Sequence, residues 1–379
     1  MLPTNEDDPL RISGPGADSV PTEATQLRSG LPPVPVPATG SGAPQPADGS
    51  DLPNTDHATL VSTRRDFGAT HSWPAVPGYE IECVLGRGGL GVVYKARHLT
   101  LKRTVALKMM LSGGHSGPSE LARFSIEAET VARLQHPNIV QIHEVGAADG
   151  HPYCALEFVA GGTLADQLKG RPVPAGEAAA LVRTLARAMQ LAHSRNVVHR
   201  DLKPANILLQ REERGRPIPD RRGAKDEPDQ DRSGTSCVLH SSLFVPKIAD
   251  FGLARQLDRD SGQTQAGMVM GTPAYMAPEQ AAGRANEAGP AADVYALGAV
   301  LYECLTGRPP FQCASMVETL DQVRTQEPVP PSRVRGAVPL DLETICLKCL
   351  RKKPEKRYAS AAELADELAR YQNGEPILA

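Results

Sequence analysis

The chain has 379 residues, of which 41 are basic and 44 acidic, and this near balance excludes nucleic acid or a charged membrane surface as the partner that overall charge would select. No uncharged apolar run reaches the roughly 18 residues of a membrane span; the longest candidate, 294–307, reads as a buried core helix. Seven cysteines, an odd number scattered through apolar segments, argue against a disulfide framework. With an acidic amino terminus that lacks the basic start and apolar core of an export signal, they imply free thiols in a reducing, cytoplasmic compartment.

Residues 1–76 are rich in Pro, Gly, Ser and Thr, contain the run LPPVPVPATGSGAPQP (31–46), and carry nine acidic against four basic side chains. A segment with so little apolar periodicity cannot offset its chain entropy, so a disordered tail is expected there. Its polyproline run has the form that an adaptor binds. The tail also holds Asp66-Phe67-Gly68, a tripeptide that returns as Asp250-Phe251-Gly252. The first copy follows no strand pattern.

Order is expected from residue 77. YEIECVLG and GVVYKARH read as strands flanking a glycine cluster, and RTVALKMM as a third. Gly86, Gly88 and Gly91 form G-x-G-x-x-G, a spacing shared by several phosphate-binding loops. In a dinucleotide-binding unit this loop runs into a helix; here it runs into β-branched and aromatic residues, so it reads as a strand-turn-strand lid over phosphates. Lys108 ends VALK, where strand alternation turns it to the lid's face as a charge partner for phosphate oxygens. Apolar periodicity predicts a helix over 119–140, with Glu127 on the side of Phe124, Val131 and Leu134 and so placed to hold Lys108.

HRDLKPANILL follows. Its spacing sets Asp201 and Asn206 at opposite ends of a short loop before a strand. Phosphoryl transfer to a hydroxyl needs a proton acceptor, groups that hold metal ions, and neutralisation of developing charge; Asp201, Asn206 and Lys203 suit these tasks in turn. The second tripeptide follows the apolar strand pattern FVPKIA, so Asp250 can direct two oxygens at a hard cation. Between these motifs, 211–242 is a polar insertion without apolar periodicity, expected to be solvated. Cys346 and Cys349 have CxxC spacing, but with no second ligand pair the spacing reads as two thiols on one helix face.

Taken together, GRGGLGVVYKA, VALK, RFSIEAE, HPNIV, HRDLKPANILL, KIADFGLAR, GTPAYMAPEQ, ADVYALG and TGRPPF resemble, in order and over about residues 79 to 372, the bacterial eukaryotic-like (Hanks-type) serine/threonine protein kinases. The resemblance implies an α+β, two-lobed protein kinase fold, with a β-rich N-lobe (79–158), a mainly helical C-lobe (159–372), and ATP with Mg2+, or Mn2+ in its place, in the cleft between them. It makes Leu85, Gly86, Arg87, Gly88, Gly89, Leu90, Gly91, Val92 and Val93 the phosphate lid, Lys108 the α/β-phosphate contact and Glu127 its partner. Ala106 closes over the base, Leu156 is the gatekeeper, and Glu157 to Val159 form the adenine-binding hinge. Asp201 becomes the catalytic base, and Asn206 and Asp250 the metal ligands.

Lys203 and Thr272 match the serine/threonine class, so the implied partners are proteins bearing Ser or Thr hydroxyls. Glu279 with Arg357 resembles a buried structural ion pair, and Asp293 with Gly298 the helix that braces the catalytic loop. Arg200 resembles the arginine that receives an activation-loop phosphate, here on Thr264. A nucleotide-binding scaffold without phosphotransfer is the rival reading, and the presence of Lys108, Glu127, Asp201, Asn206 and Asp250 together speaks against it.

Overall fold

The computed structural model describes residues 73–88, 91–110, 125–126, 128–211, 244–251, 272–284 and 288–379. All of them fall in one unit, Asp56–Ala379. Residues 1–72 of the expected tail, with Asp66, the insertion between Arg211 and Phe244, and Gly89, Leu90, Glu127 and Thr264 lie outside the described residues, whereas Val76, at the end of that expected tail, is buried in the core of the sheet.

The first part is a five-stranded antiparallel sheet in the order β1-β2-β3-β5-β4. Its strands are β1 (Tyr79–Gly88), β2 (Gly91–His98), β3 (Arg103–Met110), β4 (Ile142–Ala148) and β5 (His151–Glu157). Alternation along β3 decides what faces where. Val105, Leu107 and Met109 are buried in an apolar cluster with Val92, Tyr94 and Tyr153, whereas Ala106 and Lys108 take the opposite face. The sheet therefore shows its core to one side and a half-buried Ala/Lys pair to the other.

The helix expected over 119–140 ends sooner. Helical residues run only to 132, and Ile139 instead bridges Ile248 in parallel. Pro137 accounts for this, because its ring disfavours the helical region at His136 and it has no N–H to give.

The second part is mainly helical: α1 (Leu164–Leu168), α2 (Ala175–Ser194), α3 (Pro278–Ala281), α4 (Pro290–Thr306), α5 (Met316–Thr325), α6 (Pro331–Val334), α7 (Leu340–Cys349) and α8 (Ala361–Asn373), with a hairpin of β6 (Ile207–Arg211) and β7 (Phe244–Ile248). Arg211 is the register partner of Phe244, so the hairpin closes where the described chain breaks. α2 buries Ala178, Val182, Leu185, Ala186 and Met189, one helical stripe. α4 is buried on all sides from Ala292 to Val300, as its apolar sequence requires. Among the described residues no helix is long and apolar enough to cross a membrane.

Two sets of contacts show how the CxxC pair and the Glu279–Arg357 pair serve packing. A Cβ on Gly298 would stand 2.4 Å from the Cβ of Cys349, so glycine lets α7 pack directly on α4. The Cys346 thiol meets the Gly298 carbonyl at 3.5 Å, and burial pushes both thiols of the CxxC pair up, so each stays protonated as a packing group. The Arg357 guanidinium makes two 2.7 Å bonds to the Glu279 carboxylate and also donates to the carbonyls of Ala291, Arg351 and Lys352. Arg357→Ala leaves Glu279 buried without its counter-charge and is expected to lower unfolding free energy by about 3–5 kcal/mol, measured by urea denaturation.

Candidate active site

The sheet's Ala106 face looks onto a cavity of about 490 Å3 whose lining also includes Leu208 of β6, Ala205 and Asn206 in the loop before it, and Ala249 and Asp250 just past β7. One end is an apolar slot formed by Val84, Val93, Ala106, Leu156 and Leu208; the other end carries Asn206 and Asp250. Gly88 and Gly91 are register partners across the β1–β2 turn. A Cβ on Gly91 would lie 2.2 Å from the Met109 carbonyl oxygen, while one on Gly88 would meet nothing within 4 Å. Strand packing thus dictates glycine at 91, and at 88 it leaves open space. Behind Leu156 a second void of about 30 Å3 reaches Asp250 and Phe251. Cys154 lines it, and burial pushes its thiol up to about 12, which keeps it inert.

The polar end is built by the loop from His199 to Asn206. Asp293 on α4, 1% exposed, accepts from the backbone N–H groups of His199 and Arg200 at 2.9 Å each, and contacts His193 Nε2 at 2.8 Å. These bonds hold Arg200 at φ 63°, a left-handed conformation that costs about 1–2 kcal/mol in a residue with a Cβ. The bend turns the chain so that Asp201 meets the side chains of Lys203 and Asn206. His199 is fully buried; its Nδ1 accepts from the Asp201 N–H at 3.2 Å and its Nε2 lies 2.9 Å from the Ala249 carbonyl, which assigns the ring proton to Nε2. One imidazole therefore joins the loop of Asp201 to the strand end that carries Asp250.

Asn206 donates through Nδ2 to the Asp201 carbonyl at 2.8 Å and to its carboxylate at 3.3 Å. With both amide hydrogens committed there, its Oδ1 is the atom left to serve as a cation ligand. Lys203 Nζ stands 3.1 Å from Asp201 Oδ2. Lys108 Nζ reaches across the cleft to Asp250 Oδ1 at 2.7 Å. Burial would raise the Asp250 carboxyl, but the charge and hydrogen bond of Lys108, joined by the charges of His199 and Lys203, outweigh it and hold the group below its ordinary value.

The donor set tests whether the site suits a metal. Among the described residues no cluster of three or more His, Cys, Asp or Glu side chains is assembled. A hard cation that keeps its waters and takes most of its ligands from phosphates needs only one or two carboxylates and an amide oxygen, which Asp250 and Asn206 supply.

The protein kinase domain model matches residues 79–368. The chain belongs to the protein kinase family. It is 36% identical over 303 residues to the serine/threonine-protein kinase PknB of Mycobacterium leprae, covering 79% of this chain and 43% of that protein. It is 39% identical over 284 residues to the serine/threonine-protein kinase Pkn1 of Myxococcus xanthus, covering 75% and 37%. The chain spans less than half the length of these curated relatives. Among solved structures, the Mycobacterium tuberculosis PknI kinase domain is similar at 27% identity with a TM-score of 0.56, covering 80% of this chain and all of that one. Rad53 residues 1–466, solved with AMP-PNP, shares the fold at 24% identity and a TM-score of 0.57, with coverage of 76% and 64%.

Within this kinase fold, Leu85, Gly86, Val93, Ala106, Leu156, Glu157 and Val159 all line the large cavity. Arg87, Gly88, Gly91 and Val92 belong to the β1–β2 hairpin. Lys108 is brought to Asp250; its expected partner Glu127 is outside the described residues. Thr272 is exposed and opens the short turn Pro273–Tyr275, and Arg200 directs Nε to the Ala288 carbonyl at 3.3 Å. Three contributors escape a reading of the sequence. His199 stands beside Asp201 in the same motif and draws no separate role, His193 sits at the end of α2 with no motif of its own, and Lys247 is hidden in an apolar strand.

Because the folded Asp250 carboxyl is depressed, the Lys108 contact is fully present above the ordinary carboxylate value of about 3.9 and is lost as pH falls through the lower folded value. Lys108→Met removes the largest lowering influences and leaves burial opposed only by His199 and Lys203, so the Asp250 titration is expected to move upward, as read by carbon-13 NMR of labelled aspartates.

Proposed function

We propose that this chain is an ATP-dependent protein serine/threonine kinase that transfers the γ-phosphoryl group to Ser or Thr hydroxyls of proteins. The observation that carries the reading is the meeting, in one cleft, of the Lys108–Asp250 contact with the Asp201–Lys203–Asn206 group, at the polar end of an apolar slot. Glu157 to Val159 offer backbone groups to adenine, and Lys108 pairs with the α- and β-phosphates. Asp201 accepts the proton of the substrate hydroxyl as its oxygen bonds to the γ-phosphorus; the bond from that phosphorus to the β–γ bridging oxygen breaks, and ADP leaves. Lys203 brings positive charge beside the transferred group. A divalent cation, Mg2+ with Mn2+ as substitute, neutralises the phosphate oxygens when bound, and Asp250 and Asn206 would hold it.

The Lys203 and Thr272 signatures, and the names of the bacterial relatives, support Ser and Thr as acceptors. Autophosphorylation at Thr264 fits the same reading: the phosphate would pair with Arg200 and order the segment before Thr272. The described cysteines are all free, which fits a reducing, cytoplasmic setting, and the polyproline run within 31–46 is a sequence of the kind an adaptor binds.

Incubation with Mg-ATP and a basic protein tests the central claim: Asp201→Asn is expected to lower kcat by about a hundredfold or more. Equal phosphate incorporation by wild type and variant would end the kinase reading. Asp250→Ala should abolish transfer while Asp66→Ala leaves it intact, and the reverse would move the metal site into the tail. For the switch, phosphatase-treated Thr264→Ala should stay at basal activity after preincubation with ATP, whereas the wild type rises; full activity in the variant would remove Thr264 from regulation.

A further inference from the structure

Lys247 has no part in the chemistry above, yet it is only 7% exposed. It sits on β7, shortly before Asp250, and its Nζ lies 2.9 Å from Oε1 and 3.1 Å from Oε2 of Glu157. Glu157 ends β5, so the pair joins the five-stranded sheet to a hairpin that belongs to a different sheet. Both sides are stiffened by the chain between them. Glu157 donates its N–H to the Gln141 carbonyl at 2.9 Å and accepts the Gln141 N–H at 3.3 Å. On the other side, Ile248 donates to the Asn138 carbonyl at 2.8 Å, Val140 donates to the Ile248 carbonyl at 2.9 Å, and Asn138 Nδ2 donates to the Pro246 carbonyl at 2.7 Å.

Stability alone gives no reason for this pair. A buried ion pair roughly recovers what desolvation costs, and apolar residues of the same volume often do as well or better. What the pair adds is direction, since the carboxylate and ammonium fix two strand ends against each other. The lysine's charge is also felt nearby: burial first, and then the positive charge of Lys247, hold the His136 imidazole below its ordinary value.

We infer that Glu157 and Lys247 are a positioning pair that fixes the distance between the hinge, where adenine binds, and the strand end that presents Asp250 to the phosphates. The inference rests on the kinase reading and adds to it a residue and a role. A ligand that spans both ends of the cleft feels the tether, because it must satisfy the hinge and the phosphate groups at once. A ligand that uses only the hinge end does not. Loss of the pair thus weakens ATP through lost preorganisation while sparing the nucleoside.

Titration of the full chain with Mg-ATP and, separately, with adenosine distinguishes these effects. Lys247→Met and Glu157→Gln are each expected to raise the Kd of Mg-ATP about tenfold, with Lys247→Met shifting adenosine by no more than about twofold, and the double variant should resemble either single one in Mg-ATP binding because both remove the same interaction. Lys247→Gln, which removes the charge but keeps a polar head, carries the test if Lys247→Met does not fold. Equal weakening of both ligands would reduce the pair to a general structural role, and unchanged Mg-ATP binding or additive effects would also overturn the inference. A wild type that binds neither ligand would overturn the kinase reading, and this inference with it.

Discussion

The site depends on one buried carboxylate. Asp293 comes from the middle of the core, on a helix sealed on all sides, and gives its oxygens to the backbone of the loop that carries Asp201. A carboxylate at 1% exposure is tolerable only when its lone pairs are used. Here the donors include the two N–H groups that a left-handed Arg200 would otherwise leave pointing into the protein. The requirement runs both ways: the carboxylate needs the bend, and the bend needs the carboxylate.

From that anchor the remaining geometry follows by short steps. The bend delivers Asp201, Asp201 engages Lys203 and Asn206, and His199 carries the alignment on to Ala249 and so to the strand end of Asp250. Asp250 is itself left-handed, at φ 61°, and is held from the opposite side of the cleft by Lys108. Two strained residues are thus stabilised by two different elements, a core helix below and a sheet above, which is how a rigid scaffold keeps unfavourable backbone conformations where chemistry uses them.

Much of this is legible in the sequence, and for identifiable reasons. Strand alternation alone puts Ala106 and Lys108 on one face, and a glycine spacing followed by GVVYKARH tells a strand-turn-strand hairpin from a dinucleotide turn. The strand pattern before the second Asp-Phe-Gly tripeptide is met by β7, which leads to Asp250, while the first copy lies outside the described residues. The expected helix over 119–140 is too long because apolar spacing continues past Pro137, where proline sterics overrule periodicity. Lys247 escapes because periodicity marks where apolar residues belong and is silent about a lysine that stays among them by pairing with a residue 90 positions away. Long-range partners of buried charges are written in the tertiary fold and not in local pattern.

The hairpin of β6 and β7 has a further consequence. Since Arg211 faces Phe244 across the ladder, the ends of the sequence between them stand side by side, a single doorway at the open end of the hairpin. A flexible stretch inserted there adds only a slowly growing closure entropy, about 0.6 kcal/mol for each doubling of its length. Asp250 follows the other end of β7, with the whole strand between it and the doorway. The fold can therefore accept new sequence at this point without retuning its chemistry, and a lineage could trade one insertion for another while the cleft stayed as it is.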